Sequence, residues 1–334
     1  MSTRYQFTYA GIDVTEWVRS FPGLQLRKSE LGQLIQLPDI SIEMDNTKQI
    51  WTPGHPNTIL DELWQGEPIL IHQDDILIYE GEINNVAISL QGRVATVSVG
   101  AKVNRVLGTQ IFFFESTQKT FAEISEALYL QFGVTTDATS YQIVREKQED
   151  LLFQSTANIN LNTNYSLLQA QQWLMDAGMC RHYFIGNTAY IKMLDPNETN
   201  LSLHTFVDSE ILDVMDYTLI DRQHYDGYEV ITAIGTARVV GVNPAPQLDA
   251  GVQNPFTIST LGFGFNWGDN QIDWSTGDKY RIQIHLAAGD FSSWINLETY
   301  FRIESERMGI NRTFETISID ESSLLGPIIE AESV

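Results

Sequence analysis

The stretch Ile40-Ser41-Ile42-Glu43-Met44-Asp45 alternates large apolar with polar residues at a period of two, the pattern of a strand with one face buried. Asp45-Asn46 then gives way to a loop holding Pro53, Gly54 and Pro56. Downstream the alternation returns: Arg93 to Val99 puts Ala95, Val97 and Val99 on one face and Thr96 and Ser98 on the other. Between these two stretches, Pro68 to His72 and Ile76 to Tyr79 flank Gln73-Asp74-Asp75, which reads as a hairpin turn. Gly81 precedes a long stretch to Leu90, and Gln91-Gly92 turns the chain back. Strands and turns that recur every ~8–12 residues predict a barrel or a sandwich.

Further along, the period changes. Phe121, Ile124, Leu128 and Phe132 fall at i, i+3, i+7 and i+11, which predicts a helix that stops at Gly133. A second helix is expected from Ser166 to Ala177, with Leu167, Leu168, Ala170, Leu174 and Met175 on its apolar side and Gly178 as a left-handed C-cap. Arg181 to Ile185, Gly186-Asn187 and Thr188 to Met193 read as a hairpin with a two-residue turn. In the last third β character returns. Tyr228 to Val242 is a strand pair or one bent strand, and residues 243–279 read as a long loop. Tyr280, Ile282, Ile284 and Leu286 alternate with Arg281, Gln283 and His285. Leu297, Thr299, Phe301 and Ile303 form another alternating row, with its tip at Met308 to Asn311 and a return strand from Thr313 to Ile319. A helix from Ser293 to Met308 competes, because Trp294, Leu297 and Phe301 also fit period 3.6, but the alternation favours the hairpin. The resulting outline is β over residues 1–107, α+β over 108–206 and β over 207–334.

The chain has 334 residues, 43% of them hydrophobic and 19% charged, enough for a sizeable core and too apolar for wholesale disorder. Its 43 Asp and Glu against 20 Lys and Arg leave a net charge of −23. Residues 1–107 carry 13 acids and 8 bases, 108–206 carry 10 and 5, and 207–334 carry 20 and 7, so more than half of the excess lies in the last segment. Phosphate contacts require basic stripes, so sequence-specific nucleic-acid binding is not expected, and neither is attraction to anionic membranes. No apolar run approaches the ~20 residues of a membrane span, and Met1 to Gln6 lacks a signal-peptide core. The expectation is a chain made in the cytoplasm and carried out, if at all, as part of a larger particle.

Searching for chemistry yields little. The phosphate-loop, dinucleotide, zincin, nucleophile-elbow and EF-hand spacings are all missing from the sequence. Of the six histidines (His55, His72, His182, His204, His224, His285), no two stand at i, i+2 or i+4, so no metal or cofactor is expected. Cys180, the single cysteine, follows a helix C-terminus, where no N-terminal dipole lowers its pKa, and it reads as a buried inert thiol. Glu298, Glu304 and Glu306 could supply the carboxylate pair of a glycosidase, but alternating acids on a strand also describe a solvated face. Phe112-Phe113-Phe114 cannot all point inward from one strand, so the run is either buried on both faces or meets another subunit. The loop Gly262 to Gly268, with Phe263, Phe265 and Trp267, reads as packed under its own domain, as a carbohydrate-binding lip or as a surface docking onto a neighbour.

The order of elements and three phrases resemble the central hub proteins of bacteriophage baseplates and related contractile injection machines. The first phrase is Gly11-Ile12-Asp13-Val14-Thr15 ahead of Ile42-Glu43-Met44-Asp45-Asn46 and its Pro/Gly loop. The second is Tyr79-Glu80-Gly81-Glu82-Ile83, similar to the step where such proteins leave one strand and begin the next, leading into Val97-Ser98-Val99-Gly100-Ala101-Lys102. The third is Trp173-Leu174-Met175-Asp176-Ala177-Gly178 followed by Ala189-Tyr190-Ile191-Lys192-Met193, similar to the helix and short hairpin of the inserted domain. The resemblance implies a mainly β chain, with two tube-like antiparallel β-barrel domains (1–107 and 207–334) flanking a small α+β domain (108–206). It also implies a non-enzymatic virion component: a homotrimeric ring that joins the sixfold tail tube protein to the threefold spike protein and to other baseplate proteins, and leaves a channel for DNA. On that reading Phe112, Phe113, Phe114, Phe263, Phe265 and Trp267 are candidates for the subunit interface, and Glu298, Glu304 and Glu306 for the channel lining. A distal tail or tail-tip ring protein is the alternative in the same setting. A carbohydrate-binding or glycan-degrading β-rich protein is the alternative from another class.

Overall fold

The computed structural model describes residues 5–29, 34–89, 91–149, 157–162, 165–193, 204–220, 225–232, 235–239, 241, 248–249, 256–257, 269, 272, 278–286, 297, 299–320 and 327–333. The chain is mainly β and falls into two compact units. One comprises Met1–Leu24, Gln36–Thr109 and Phe184–Ala189; the other comprises Gln25–Ile35, Gln110–Tyr183 and Tyr190–Val334.

The first unit is built on strands β1 (Tyr5–Tyr9), β2 (Ile12–Asp13), β3 (Val18–Ser20), β5 (Ile40–Asp45), β6 (Pro68–Gln73), β7 (Ile76–Ile88) and β8 (Val94–Ala101), while β4 (Gln25–Arg27) belongs to the second unit. The seven strands form one sheet in the order β2-β1-β6-β7-β8-β5-β3. Ile40, Ile42 and Met44 of β5 and Ala95, Val97, Val99 and Ala101 of β8 all point into the core, and Ile42 stands opposite Val97. The β6–β7 turn has positive φ at both Asp74 and Asp75, which matches the right-handed twist of the strands it joins. The Pro/Gly loop is fixed by buried Asn46, whose Oδ1 accepts from Trp51 N (2.8 Å) and whose Nδ2 donates to Gly92 O (3.0 Å) and Thr52 Oγ1 (2.9 Å). Gly81 does not end a strand, as the sequence suggested: β7 runs straight through it. Its role is steric, because a Cβ there would lie 2.4 Å from Val99 Cγ1 and 2.9 Å from Gly100 O. Helix α1 (Lys102–Leu107) follows β8 directly.

The second unit opens with β9 (Phe113–Lys119), α2 (Phe121–Gln131), β10 (Thr135–Thr136), α3 (Ala138–Lys147), β11 (Ala157–Asn162), α4 (Leu167–Ala177), β12 (Cys180–Ile185) and β13 (Thr188–Met193). The tip of the β12–β13 hairpin, Phe184–Ala189, counts with the first unit. Both expected helices are present, each started by a reciprocal capping box: Thr120 with Glu123, and Ser166 with Gln169. The third, α3, is started by Asp137, whose Oδ2 accepts from Ser140 N at 2.7 Å. At the end of α4 the expected cap is displaced by one residue: Gly178 has φ −84° and Met179 takes the left-handed conformation at φ 51°. Glycine is needed at 178 for room, since a Cβ would meet Gln148 Nε2 at 2.8 Å and Leu174 O at 2.9 Å.

The remaining strands are β14 (His204–Val207), β15 (Ile211–Leu219), β16 (Tyr228–Thr232), β17 (Gly235–Val239), β18 (Leu248–Asp249), β19 (Phe256–Thr257), β20 (Tyr280–Leu286), β21 (Tyr300–Ser305), β22 (Ile310–Asp320) and β23 (Ile328–Ser333). A second seven-stranded sheet runs β14-β21-β22-β23-β20-β15, with β4 pairing the far end of β22. It is mixed, not wholly antiparallel, because β14 lies parallel to β21. Ile282, Ile284, Phe301, Ile303, Phe314, Ile329 and Ala331 fill its buried side. Phe206, Phe301 and Phe314 form a ladder of rings there, with centroids 5.3 and 6.0 Å apart. Three small sheets, β10-β13-β12, β19-β11-β9 and β17-β16-β18, complete the described residues. The β21–β22 pair is the expected hairpin, and the row Leu297, Thr299, Phe301, Ile303 is buried along its length.

Candidate functional site

Among the described residues of the second unit is a buried ionic cluster. On β22 and β23, Glu315 and Glu332 stand directly opposite each other, a pairing that repels unless cations intervene. Arg181 of β12 spans the pair, with Nη1 3.1 Å from Glu315 Oε2 and Nη2 2.7 Å from Glu332 Oε2. Lys28 Nζ lies 2.8 Å and Lys192 Nζ 3.2 Å from Glu315 Oε1. Arg281, opposite Glu332 on β20, donates to Glu332 Oε1 at 2.6 Å and lies 3.4 Å from Glu330 Oε1. Lys192 also sits 3.7 Å over the Tyr300 ring. Burial alone would raise the Glu315 carboxyl, but Lys28, Arg181 and Lys192 outweigh it and hold the group far below the usual carboxylate range. A carboxylate so firmly ionised is not a general acid at neutral pH. The cluster therefore acts as a fastener.

Beside it lie His182 and Cys180. His182 is fully buried, and burial pushes it down to about 3, so it is neutral; its Nε2 is 2.9 Å from Tyr129 Oη. Burial pushes the Cys180 thiol up to about 12, which makes it inert as a nucleophile. A cleft of about 310 Å³ opens between α3 and β13, walled by Ile143, Val144, Ile191 and Met193 and flanked by Lys147 and Tyr300. No group of three His, Cys, Asp or Glu able to hold a metal occurs among the described residues.

The sequence-nominated residues are dispersed. Phe112 is 83% and Phe113 56% exposed, while Phe114 is half-buried and Ile111 fully buried. Strand β9 sets Phe113 opposite Asn162 and Phe114 opposite Leu161 on β11, so the run is not buried on both faces. Exposed apolar side chains also mark β15, an edge strand among the described residues, at Leu212, Met215 and Leu219. Glu304 is exposed on β21 and paired with Arg302 at 2.9 Å, and Glu306 is exposed in the hairpin turn. Glu298, Phe263, Phe265 and Trp267 lie outside the described residues. Sequence reasoning missed Lys28, Arg181, Lys192, Glu315 and Glu332. One local sign was available: Glu315 shares the parity of Ile317 and Ile319, a charge in line with two apolar residues.

No family model matches the sequence, and no curated protein does. Solved structures share the fold over almost the whole chain. A tail protein from Neisseria meningitidis MC58 matches all of this chain and 96% of its own length, at 11% identity and a TM-score of 0.63. The 43 kDa tail protein of prophage MuSo2 from Shewanella oneidensis matches 99% of this chain and 98% of its own, at 13% identity and a TM-score of 0.58. A type VI secretion component of Escherichia coli, described as structurally similar to bacteriophage T4 tail proteins, matches 98% of this chain and 76% of its own, at 9% identity and a TM-score of 0.51. The fold is thus one found in phage tail proteins and in the type VI secretion system.

Proposed function

We propose that this chain is a non-enzymatic hub subunit of a phage-type tail or baseplate. Three copies close into a ring between tail tube and spike proteins, in contact with other baseplate proteins, and DNA passes through the centre. The observation that carries this reading is the correspondence of the fold with tail proteins over almost the whole chain. Two sheets of seven strands each within one chain suit a threefold assembly that must meet sixfold symmetry. In this scheme residues 1–107 and 207–334 supply the two ring-forming β domains and 108–206 the inserted α+β domain. Exposed Phe112 and Phe113 serve the subunit interface, since a surface of two adjacent phenyl rings is unusual on a lone soluble chain. Glu304 and Glu306 face the channel, where acids repel phosphate.

The test is the solution mass. Light scattering on the purified protein is expected to give three times the chain mass. Phe112→Ser with Phe113→Ser should shift it to that of one chain without changing the circular dichroism spectrum. A wild-type monomer at tens of micromolar would contradict the assignment.

A further inference from the structure

Strand β15 stays in register with β20 only by carrying two extra residues. Ile211 stands opposite Leu286 and Asp213 opposite His285; further on, Val214 stands opposite Ile284 and Asp216 opposite Gln283. At each of these steps β15 advances two residues while β20 advances one, so Leu212 and Met215 are the additional residues of two successive β-bulges. The inward row changes period accordingly: Ile211, Val214 and Tyr217 match the buried Leu286, Ile284 and Ile282. The stretch Ile211-Leu212-Asp213-Val214-Met215-Asp216-Tyr217 thus repeats every three residues, as an inward residue, a bulged apolar residue and an exposed acid.

Plain alternation from Ile211 would turn Asp213 toward the core, and the bulges prevent that. Keeping the acids out accounts for the bulges. It does not account for leucine and methionine at the bulged positions, where a polar residue would serve equally. Both side chains are about half exposed, as is Leu219 at the end of the strand. A bulge gives up ladder pairing and re-aims a side chain, and here the side chains it re-aims are large, apolar and in water. The strand ends its sheet among the described residues, which sets these side chains at a rim. The charge around them has one sign: residues 204–219 hold Asp208, Glu210, Asp213 and Asp216 and no lysine or arginine.

We propose that the Leu212–Met215 face of β15 is a docking surface for another protein, one that meets it with an apolar patch bordered by lysine or arginine. Leu212 and Met215 supply the apolar contact, and Asp213 and Asp216 beside them select a basic partner over an acidic one. Recognition is by side chains, because successive bulges twist an edge away from flat strand addition. The proposal goes beyond the hub reading and would stand without it.

Each three-residue repeat advances as two residues of β20 do, roughly 6.6 Å, close to the ~6 Å between positions i and i+4 of a helix. The probe is therefore a fluorescein-labelled helical peptide with leucines at i and i+4 and lysines beside them, added to the full chain and followed by anisotropy. Saturable binding is expected, weakened at least about tenfold by Leu212→Ser with Met215→Ser. Asp213→Asn with Asp216→Asn should weaken it as much at low salt and little at high salt. Leu130→Ser, which removes an exposed leucine on α2, should leave binding unchanged. Equal affinity for a peptide with glutamates in place of the lysines, or affinity indifferent to both double variants, would overturn the proposal. If a variant is insoluble, hydroxyl-radical footprinting of the wild-type chain decides the matter. Protection of Met215 by the lysine peptide is the expected result, and unchanged oxidation of Met215 at saturating peptide would overturn it.

Discussion

At the residue scale the molecule is governed by how it accommodates charge in dry surroundings. Glu315 is ion-paired with Lys28, Arg181 and Lys192, so its loss removes a carboxylate from three buried cations at once. Glu315→Ala is expected to cost about 3–5 kcal/mol in urea unfolding. Lys28→Met should cost less than half of that, because Glu315 keeps its other two cations. Acid stability follows from the same residues. Burial depresses the folded His182 to about 3 from 6.5, so its contribution is complete above pH 6.5 and is lost as pH falls toward 3. Glu315, also depressed in the folded state, adds a loss that starts near its ordinary value of 4.5. Stability measured against pH should therefore decline in two stages, each group adding a slope of up to ~1.4 kcal/mol per pH unit. In His182→Gln the stage between pH 6.5 and 4.5 should flatten while the lower stage persists.

At the element scale, strands and helices follow local pattern wherever one face is buried and the other wet. The rows Ile40-Ile42-Met44 and Phe121-Ile124-Leu128 are legible for that reason, and the structure puts both in cores. Thr120→Ala and Ser166→Ala each remove the side chain that closes a capping box and should each cost about 1 kcal/mol, read as a drop in melting temperature. What sequence did not disclose has physical causes. Helix α3 buries only Tyr141 and Val144, too few apolar residues for a stripe. Strand β4 is three residues long, and its partner lies nearly 300 residues away, so nothing local specifies it. Gly81 and Gly178 both looked like punctuation but are sites of close approach, a distinction that depends on what packs against them. Apart from the parity of Glu315, the ionic cluster was illegible because its members come from separate strands far apart in the chain. Phe112 and Phe113, by contrast, declared themselves as a run that one sheet face cannot hide.

At the scale of the whole molecule, the governing quantity is the charge of −23 on a chain whose fold recurs in tail proteins. Three copies would carry −69, three times that value. Such an assembly closes only if apolar contacts outweigh repulsion, so its formation should strengthen as salt screens the charge. The most direct measurement is electron microscopy of the purified protein at moderate ionic strength. Class averages should show closed rings with threefold symmetry and an open centre. A field of single, holeless particles at every salt concentration would contradict the account.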